Sequence, residues 1–327
     1  MRPVVLVAGS ANLDFVVQAD HVPAPGETVL GQDLQTFPGG KGANQAVACA
    51  RAGGVRTRML LALGEDGFAV PVRAALEQAG VALHVVPARD RATGTALVCL
   101  AGDGENAIIV APGANHALTG DDLPPLADVA FLLMQLEVPL AAVCGWAEAA
   151  HAAGVRVVLN AAPACALPDD LLRRLDVLVV NEGELDLLAG HAGVRADAST
   201  ADKLAALPVA RVVVTLGARG CYAWSGGRVV LQPAFAVQAV DTTGAGDAFC
   251  GALTAGLADG ATLAAALRRA CAVSALACTR VGAQSGVPTC ADVEAFLRDA
   301  PPAAAAVVSA LADYAGLAHC PLLEPTC

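Results

Sequence analysis

Short apolar runs rich in valine recur through the second half of the chain, each followed by a stretch with helical spacing. VAFLLMQ (129–135), VRVVLN (155–160), DVLVVN (176–181) and ARVVVTLG (210–217) show little polar alternation, the pattern of strands buried on both faces of a parallel sheet. PVVLVAG (3–9) reads the same way. Helical patterns cover 182–190, 244–258, 262–279 and 290–299, and another opens at Pro139 and closes at Gly154. This alternation predicts an α/β fold: a doubly wound, mostly parallel sheet flanked by helices.

The first third differs. After the first strand the chain is polar and punctuated by Pro and Gly, with alternating runs at 28–37, 95–101 and 105–111. The last two flank the turn Gly102-Asp103-Gly104, a hairpin signal. These pieces, from 12–37 and 95–111, predict a small sheet standing off the main body. Residues 300–327 read as an appendage to a unit spanning 1–299, with an Ala-rich helix near 303–315.

Composition narrows the function. Hydrophobic residues make up 56% and aromatics 3%, so the core is built from Ala, Val and Leu. A net charge of −11 without a basic stretch argues against a nucleic-acid surface. No apolar run has the length of a membrane span, and the start reads as a strand, not an export signal, so a soluble cytoplasmic protein is expected. Eleven scattered cysteines without a Cys-x-x-Cys pair read as small apolar filler.

Polar residues gather just past the carboxyl ends of the expected strands: Asn12, Asp14, Glu137, Asn160, Asn181, Glu184, Thr215 and Gly217. Asn and Asp also end strands as turn formers. Their concentration on one edge nevertheless marks where open α/β sheets bind ligands.

The most informative segment is AVDTTGAGDAFCGALTAGLADG (239–260). A strand is expected to end at Val240, followed by a glycine turn and an amphipathic helix whose first N–H groups face an anion. Asp247 stands at the helix start, placed either to take a proton from an attacking hydroxyl or to cap the helix. In FPGGKGANQAVACARAGG (37–54), Gly39, Gly40 and Gly42 turn into a helix ending at Gly53-Gly54. Lys41 is one of two lysines in the chain, and Asn44 can reach a polyol hydroxyl; the alternative is a close backbone crossing with a solvated lysine. The spacing is neither a Walker A loop nor a dinucleotide fingerprint.

Taken in order, GSANLD (9–14), PGETVLG (25–31), GGKGANQAVA (39–48), LLMQLEVP (132–139), NEGE (181–184), VTLGARG (214–220), VDTTGAGDAFCGAL (240–253) and TRVGAQSGVP (279–288) resemble the ribokinases of the PfkB-type carbohydrate kinase family. The resemblance runs from about residue 4 to 298. It implies a ribokinase-like fold, with a β-lid that covers the sugar and joins two subunits. It also implies transfer of phosphate from ATP to the 5-hydroxyl of D-ribose.

Position by position, the resemblance makes Asp247 the base and Gly244, Ala245 and Gly246 an anion hole. Asn12, Asp14, Gly39, Gly40, Lys41, Asn44 and Glu137 would form the sugar pocket. Asn181, Glu184, Thr215, Gly217, Gly220, Gly246 and Cys271 would meet the nucleotide, Glu184 holding Mg²⁺ through water. Asp241, Thr243, Ala277, Arg280, Gly282 and Gly286 would surround a potassium ion, mostly with carbonyl oxygens. Gly286 stands where relatives offer a serine hydroxyl, a role open to Ser285, and Cys271 where Asn or His meets the adenine.

Relatives acting on deoxyribose, nucleosides, fructose or keto-deoxy acids are the nearest alternatives. Asp14 and Glu137 favour a neutral polyol over an acid, and eleven aromatic residues are few for base stacking. A catalytically silent sugar-binding homologue is a reading of another class, opposed by the intact Asp247 and its glycines. A nicotinamide-dependent dehydrogenase lacks its glycine fingerprint after the first strand.

Overall fold

Alternate residues of the first strand, Val4–Ala8 (β1), enter two different cores: Val5 and Val7 join one, Val4, Leu6 and Ala8 the other. A strand buried on both faces gives this pattern. The computed structural model describes residues 3–102 and 106–323. Besides β1, the main sheet contains Arg56–Gly64 (β4), Ala82–Ala88 (β5), Val129–Met134 (β8), Arg156–Asn160 (β9), Val177–Asn181 (β10), Val212–Thr215 (β11), Gly220–Ser225 (β12) and Arg228–Pro233 (β13). These nine strands lie in the order β13-β12-β11-β10-β9-β8-β1-β4-β5. All neighbours are parallel except β11/β12 and β12/β13.

Helices cover both faces. Lys41–Arg51 (α1), Ala69–Gln78 (α2), Ala245–Ala258 (α7), Leu263–Ala277 (α8) and Cys290–Asp299 (α9) pack on one core. Leu140–Ala152 (α3), Asp169–Leu172 (α4), Glu182–His191 (α5), Thr200–Ala205 (α6) and Ala305–Tyr314 (α10) pack on the other. From β1 the chain moves outward to β4 and β5, then returns to build β8 on the opposite side. The order reverses between β1 and β8, so a crevice opens beyond their carboxyl ends.

A second sheet stands apart, made of Asn12–Ala19 (β2), Leu34–Gly39 (β3), Gly94–Ala101 (β6) and Asn106–Ala111 (β7) in the order β3-β2-β6-β7. The expected pairing of 95–101 with 106–111 is present and antiparallel, while Asp103 and Gly104 of its turn lie outside the described residues. The alternating run at 28–37 is a strand only from Leu34. Before that, Gln32 N donates to the Gln18 carbonyl at 2.8 Å, and a Cβ on Gly31 would lie 3.0 Å from the same oxygen.

Two other expectations change. No strand ends at Val240: residues 234–240 are irregular, with the amides of Val240 and Asp241 both directed at the Cys278 carbonyl. Nor is α7 amphipathic. It is buried nearly all round, because α1 and α8 flank it above the sheet, and Gly251 lets it approach α1 closely.

Candidate active site

Two helix N-termini meet at the crevice, and they are finished differently. Gly40, with a φ of 87°, begins α1. The amides that follow are occupied: Lys41 N donates to Glu137 Oε2 at 3.0 Å, Gly42 N to Ser10 Oγ at 3.2 Å and Ala43 N to the Ser10 carbonyl at 2.8 Å. Ser10 Oγ itself donates to Glu137 Oε2 at 2.6 Å. Gly244, with a left-handed φ of 74°, begins α7, and no side chain caps that helix. Apart from Ala245 N, which donates to the Thr242 carbonyl at 3.2 Å, its first turn is open to an anion.

Asp247 is not a cap. Its buried carboxylate accepts Asn44 Nδ2 at 3.0 Å on Oδ2 and Gln45 Nε2 at 2.9 Å on Oδ1. Burial pushes the carboxyl above its usual range, while the Lys41 charge and these two hydrogen bonds pull it back. Lys41 faces the same group. Burial opposes its charge, but Asp247 and Glu137 outweigh that and hold the ammonium above its ordinary range. A cavity of about 200 Å³ is lined by Gly244, Ala245, Gly246, Asp247, Lys41 and Glu184.

Asp14 lies nearby on β2. Burial, then the charges of Glu137 and Asp247, push its carboxyl up to about 7. Its Oδ1 is buried without a hydrogen-bond partner, as is Gln284 Oε1, whose amide donates to Asn44 Oδ1 at 3.1 Å. Buried oxygens left unpaired call for a ligand that donates hydrogen bonds. Asn12 is held by Asn115, whose Nδ2 donates to Asn12 Oδ1 at 2.7 Å. Gly39 is tight against Asp14: a Cβ there would lie 2.6 Å from its Cγ.

A larger cavity of about 720 Å³ adjoins the small one and shares Asn181, Thr215, Thr242, Ala245 and Gly246 with it. Gly217 and Gly220 line it with Thr215, and Phe235, Val237 and Cys271 give it an apolar wall. Cys271 Sγ lies 3.6 Å from Cys221 Sγ. At the junction of the cavities Asn181 and Glu184 form a reciprocal cap on α5, each accepting the other's backbone N–H at 2.8 Å. Burial raises the Glu184 carboxyl, partly offset by the Asn181 amide and by Lys41. An elongated ligand with an anionic end at α7 and a flat apolar end near Cys271 fits the joined volume.

The sequence model of the "pfkB family carbohydrate kinase" matches residues 3–290. The chain belongs to the pfkB family of carbohydrate kinases. Ribokinase of Haemophilus influenzae is 38% identical over 309 residues, covering 92% of this kinase and 100% of the relative. Ribokinase of Bacillus subtilis is 37% identical, covering 90% and 99%. Arabidopsis thaliana ribokinase, solved with ribose and ATP, superimposes with a TM-score of 0.83 at 34% identity, covering 92% of this kinase and 100% of that chain.

The remaining residues singled out in the sequence form a loop beside α7 in this kinase. The Asp241 carboxylate accepts Thr243 N at 2.9 Å and Gly282 N at 2.8 Å. Although burial opposes ionisation, these bonds hold it below the usual range. A Cβ built on Gly286 would lie 2.6 Å from the Gly282 carbonyl oxygen, 3.1 Å from that of Ala277 and 3.3 Å from that of Arg280. Three carbonyl oxygens thus converge on one point, the donor set that a large monovalent cation takes. Ser285 Oγ is turned to the Val281 carbonyl at 2.8 Å. Ala283 packs on Gly244, where a Cβ would meet its Cα at 2.9 Å, so the loop braces the start of α7.

Sequence reasoning passed over the amides that position these groups. Gln45 donates to Asp247 and to Asn160 Oδ1, and its oxygen accepts Gln135 Nε2 at 2.7 Å. Ser10 was inside a recognised motif, but only the fold shows what its side chain and that of Asn115 reach.

Proposed function

We propose that the protein transfers the γ-phosphoryl group of ATP to the 5-hydroxyl of D-ribose, giving D-ribose 5-phosphate and ADP. The observation that carries this reading is the placement of Asp247 at the uncapped start of α7, where its carboxylate borders the cavity shared with Gly244, Ala245 and Gly246. Support for the substrate comes from relatives named ribokinase and from the neighbour solved with ribose and ATP.

In this reading Asp247 takes the proton of the sugar hydroxyl as that oxygen forms its bond to the γ-phosphorus. The bond from the γ-phosphorus to the β,γ-bridging oxygen breaks, and ADP leaves with the electron pair. The amides of Gly244–Gly246 and the Lys41 ammonium stabilise the charge spread over the transferring group. Asn44 and Gln45 orient Asp247 and favour its ionised form. Asn12, Asp14, Gly39, Gly40, Asn44 and Glu137 hold the sugar, whose hydroxyls supply the donor that Asp14 Oδ1 lacks. A neutral polyol suits the carboxylates of Asp14 and Glu137, which would repel an anionic acid.

Glu184 and Asn181 would hold Mg²⁺ through water; the other Glu184 oxygen is not used by the helix cap. Among the described residues no group of three or more His, Cys, Asp or Glu could hold a metal alone, which suits an ion carried mainly by phosphate oxygens and water. When bound, magnesium would supply charge neutralisation to the triphosphate. A potassium ion fits the carbonyls of Ala277, Arg280 and Gly282, with Asp241, Thr243 and Gly286 alongside.

The four-stranded sheet acts as a lid that keeps water from replacing the sugar as acceptor. Its Leu97, Ile108 and Ile109 are 53%, 55% and 68% exposed, an apolar surface that a second copy would cover in a homodimer. No helix among the described residues is long and apolar enough to cross a membrane, and we place the enzyme in the cytoplasm. Residues 1–299 are the kinase unit and 300–327 its extension.

The product decides the reading. After incubation with Mg-ATP and D-ribose, the sugar phosphorus resonance is expected to couple to the two protons on C5. Coupling to the C1 proton, or no new sugar phosphate, overturns the assignment.

A further inference from the structure

Residues beyond the family match at 290 do not trail into solvent. Leu311, Ala315 and Leu317 are buried in the core on the α10 side of the sheet. Farther on, Val229 N donates to the Pro321 carbonyl at 2.9 Å and Leu323 N to the Val229 carbonyl at 2.8 Å, so the segment covers the open edge of β13. Anchors lie on both sides of Tyr314 in sequence, Leu311 before it and Ala315, Leu317 and the 321–323 pairing after it, which fixes where that ring stands.

Tyr314 reaches two parts of the rim of the 720 Å³ cavity. Its hydroxyl donates to Glu182 Oε1 at 3.0 Å, and Glu182 lines the cavity. Its ring lies under the Arg219 guanidinium, 4.1 Å from the centroid. Arg219 sits between Ala218 and Gly220, which also line the cavity. The chain thus ties the first residue of α5 to the turn after β11, two segments on one wall of the same cavity. A hydrogen bond to a carboxylate and a cation–π contact are each modest at a partly exposed site, but they act on neighbouring points.

We propose that Tyr314 is a positioning residue for the phosphoryl donor: it holds Glu182 and the 217–220 turn in the spacing that grips the nucleoside part of ATP. The proposal rests on the reading of this cavity as the nucleotide site. It gives the C-terminal extension a role in donor affinity, separate from the sugar pocket and from Asp247. The nucleoside end is affected because the contacts lie on the cavity wall, while the anion-binding start of α7 is braced by other residues, Ala283 and Ser274.

The test compares Tyr314→Phe, which removes only the hydroxyl, with Tyr314→Leu, which also removes the ring under Arg219. Mg-ATP affinity is measured by calorimetry without sugar, and KM is measured separately for ATP and for ribose, with Tm recorded for each variant. The expected result is a rise in Kd and KM for ATP of about threefold for Tyr314→Phe and about tenfold for Tyr314→Leu, with KM for ribose unmoved. Unchanged ATP affinity in both variants, or an equal rise in both KM values with a lowered Tm, overturns the proposal. Should the parent protein bind ATP but phosphorylate no ribose, the proposed reaction fails while the calorimetric comparison still decides the role of Tyr314.

Discussion

Gln45 Nε2 lies 2.9 Å from Asp247 Oδ1, and this bond joins the first glycine-flanked helix to the carboxylate at the start of α7. The donor favours the ionised form of a buried group that burial otherwise protonates. Gln45→Met removes the donor at similar volume, so the Asp247 carboxyl moves further up. The acidic limb of the kcat profile is then expected to move to higher pH, with kcat at neutral pH reduced about tenfold and recovering as pH rises. A loss of the same factor at every pH would mean that Gln45 serves packing alone.

Asp247→Asn keeps the shape of the site and removes the base. We expect kcat to fall by about 10²- to 10⁴-fold while calorimetric Kd values for ATP and ribose change little. Loss of binding in proportion to loss of rate would show that the side chain holds the site together and takes no proton.

Asp14 is expected to make the stability of the ligand-free protein depend on pH. Its folded-state carboxyl sits at about 7, raised chiefly by burial. Between the ordinary carboxylate range and pH 7 the unfolded chain gives up this proton while the folded chain keeps it. Its contribution to stability is therefore full at low pH and declines as pH rises through that window, by up to about 1.4 kcal/mol per pH unit. Asp14→Asn abolishes the decline. In urea unfolding without ribose, the variant is expected to gain on its parent steadily from pH 5 to pH 7; a constant difference between them contradicts the environment described for Asp14.

Residue 286 carries no side chain here, where relatives offer a serine hydroxyl, and three carbonyl oxygens of the loop close on it. In Gly286→Ala the new Cβ would stand 2.6 Å from the Gly282 oxygen, so that carbonyl must turn away from the place where it would meet a cation. Rates measured against KCl concentration are expected to rise for the parent and to be flat for the variant. A variant that keeps the full potassium response places the ion elsewhere.

Much of this architecture was legible because the strands that build the main sheet are buried on both faces. Their valine runs at 129–135, 155–160 and 176–181 match β8, β9 and β10 to within a residue or two. The glycine at 244 was legible too, since only a residue at home with positive φ starts a helix there. What could not be read locally was direction. Val240 belongs to an apolar stretch that would suit a strand, yet its amide donates to the carbonyl of Cys278 at a distant helix end, and Ala234–Val237 and Ala239 before it line a cavity instead. Likewise, Asp247 as cap and Asp247 as base are indistinguishable by spacing; the amides of Asn44 and Gln45, some two hundred positions away, separate them. The antiparallel hairpin of β12 and β13, turning at Gly226-Gly227, escaped notice; both its strands lie beyond the run at 210–217 that was assigned to the buried sheet.

The central claim is a kinase whose acceptor is ribose. It is tested most directly by ADP release from Mg-ATP with ribose, deoxyribose, fructose, adenosine and a keto-deoxy acid, each with and without potassium. The account predicts turnover that depends on ribose, exceeds that on the other acceptors and rises with potassium. Faster turnover on another acceptor contradicts the pocket assigned to Asn12, Asp14 and Glu137, and no turnover on any of them contradicts the role assigned to Asp247.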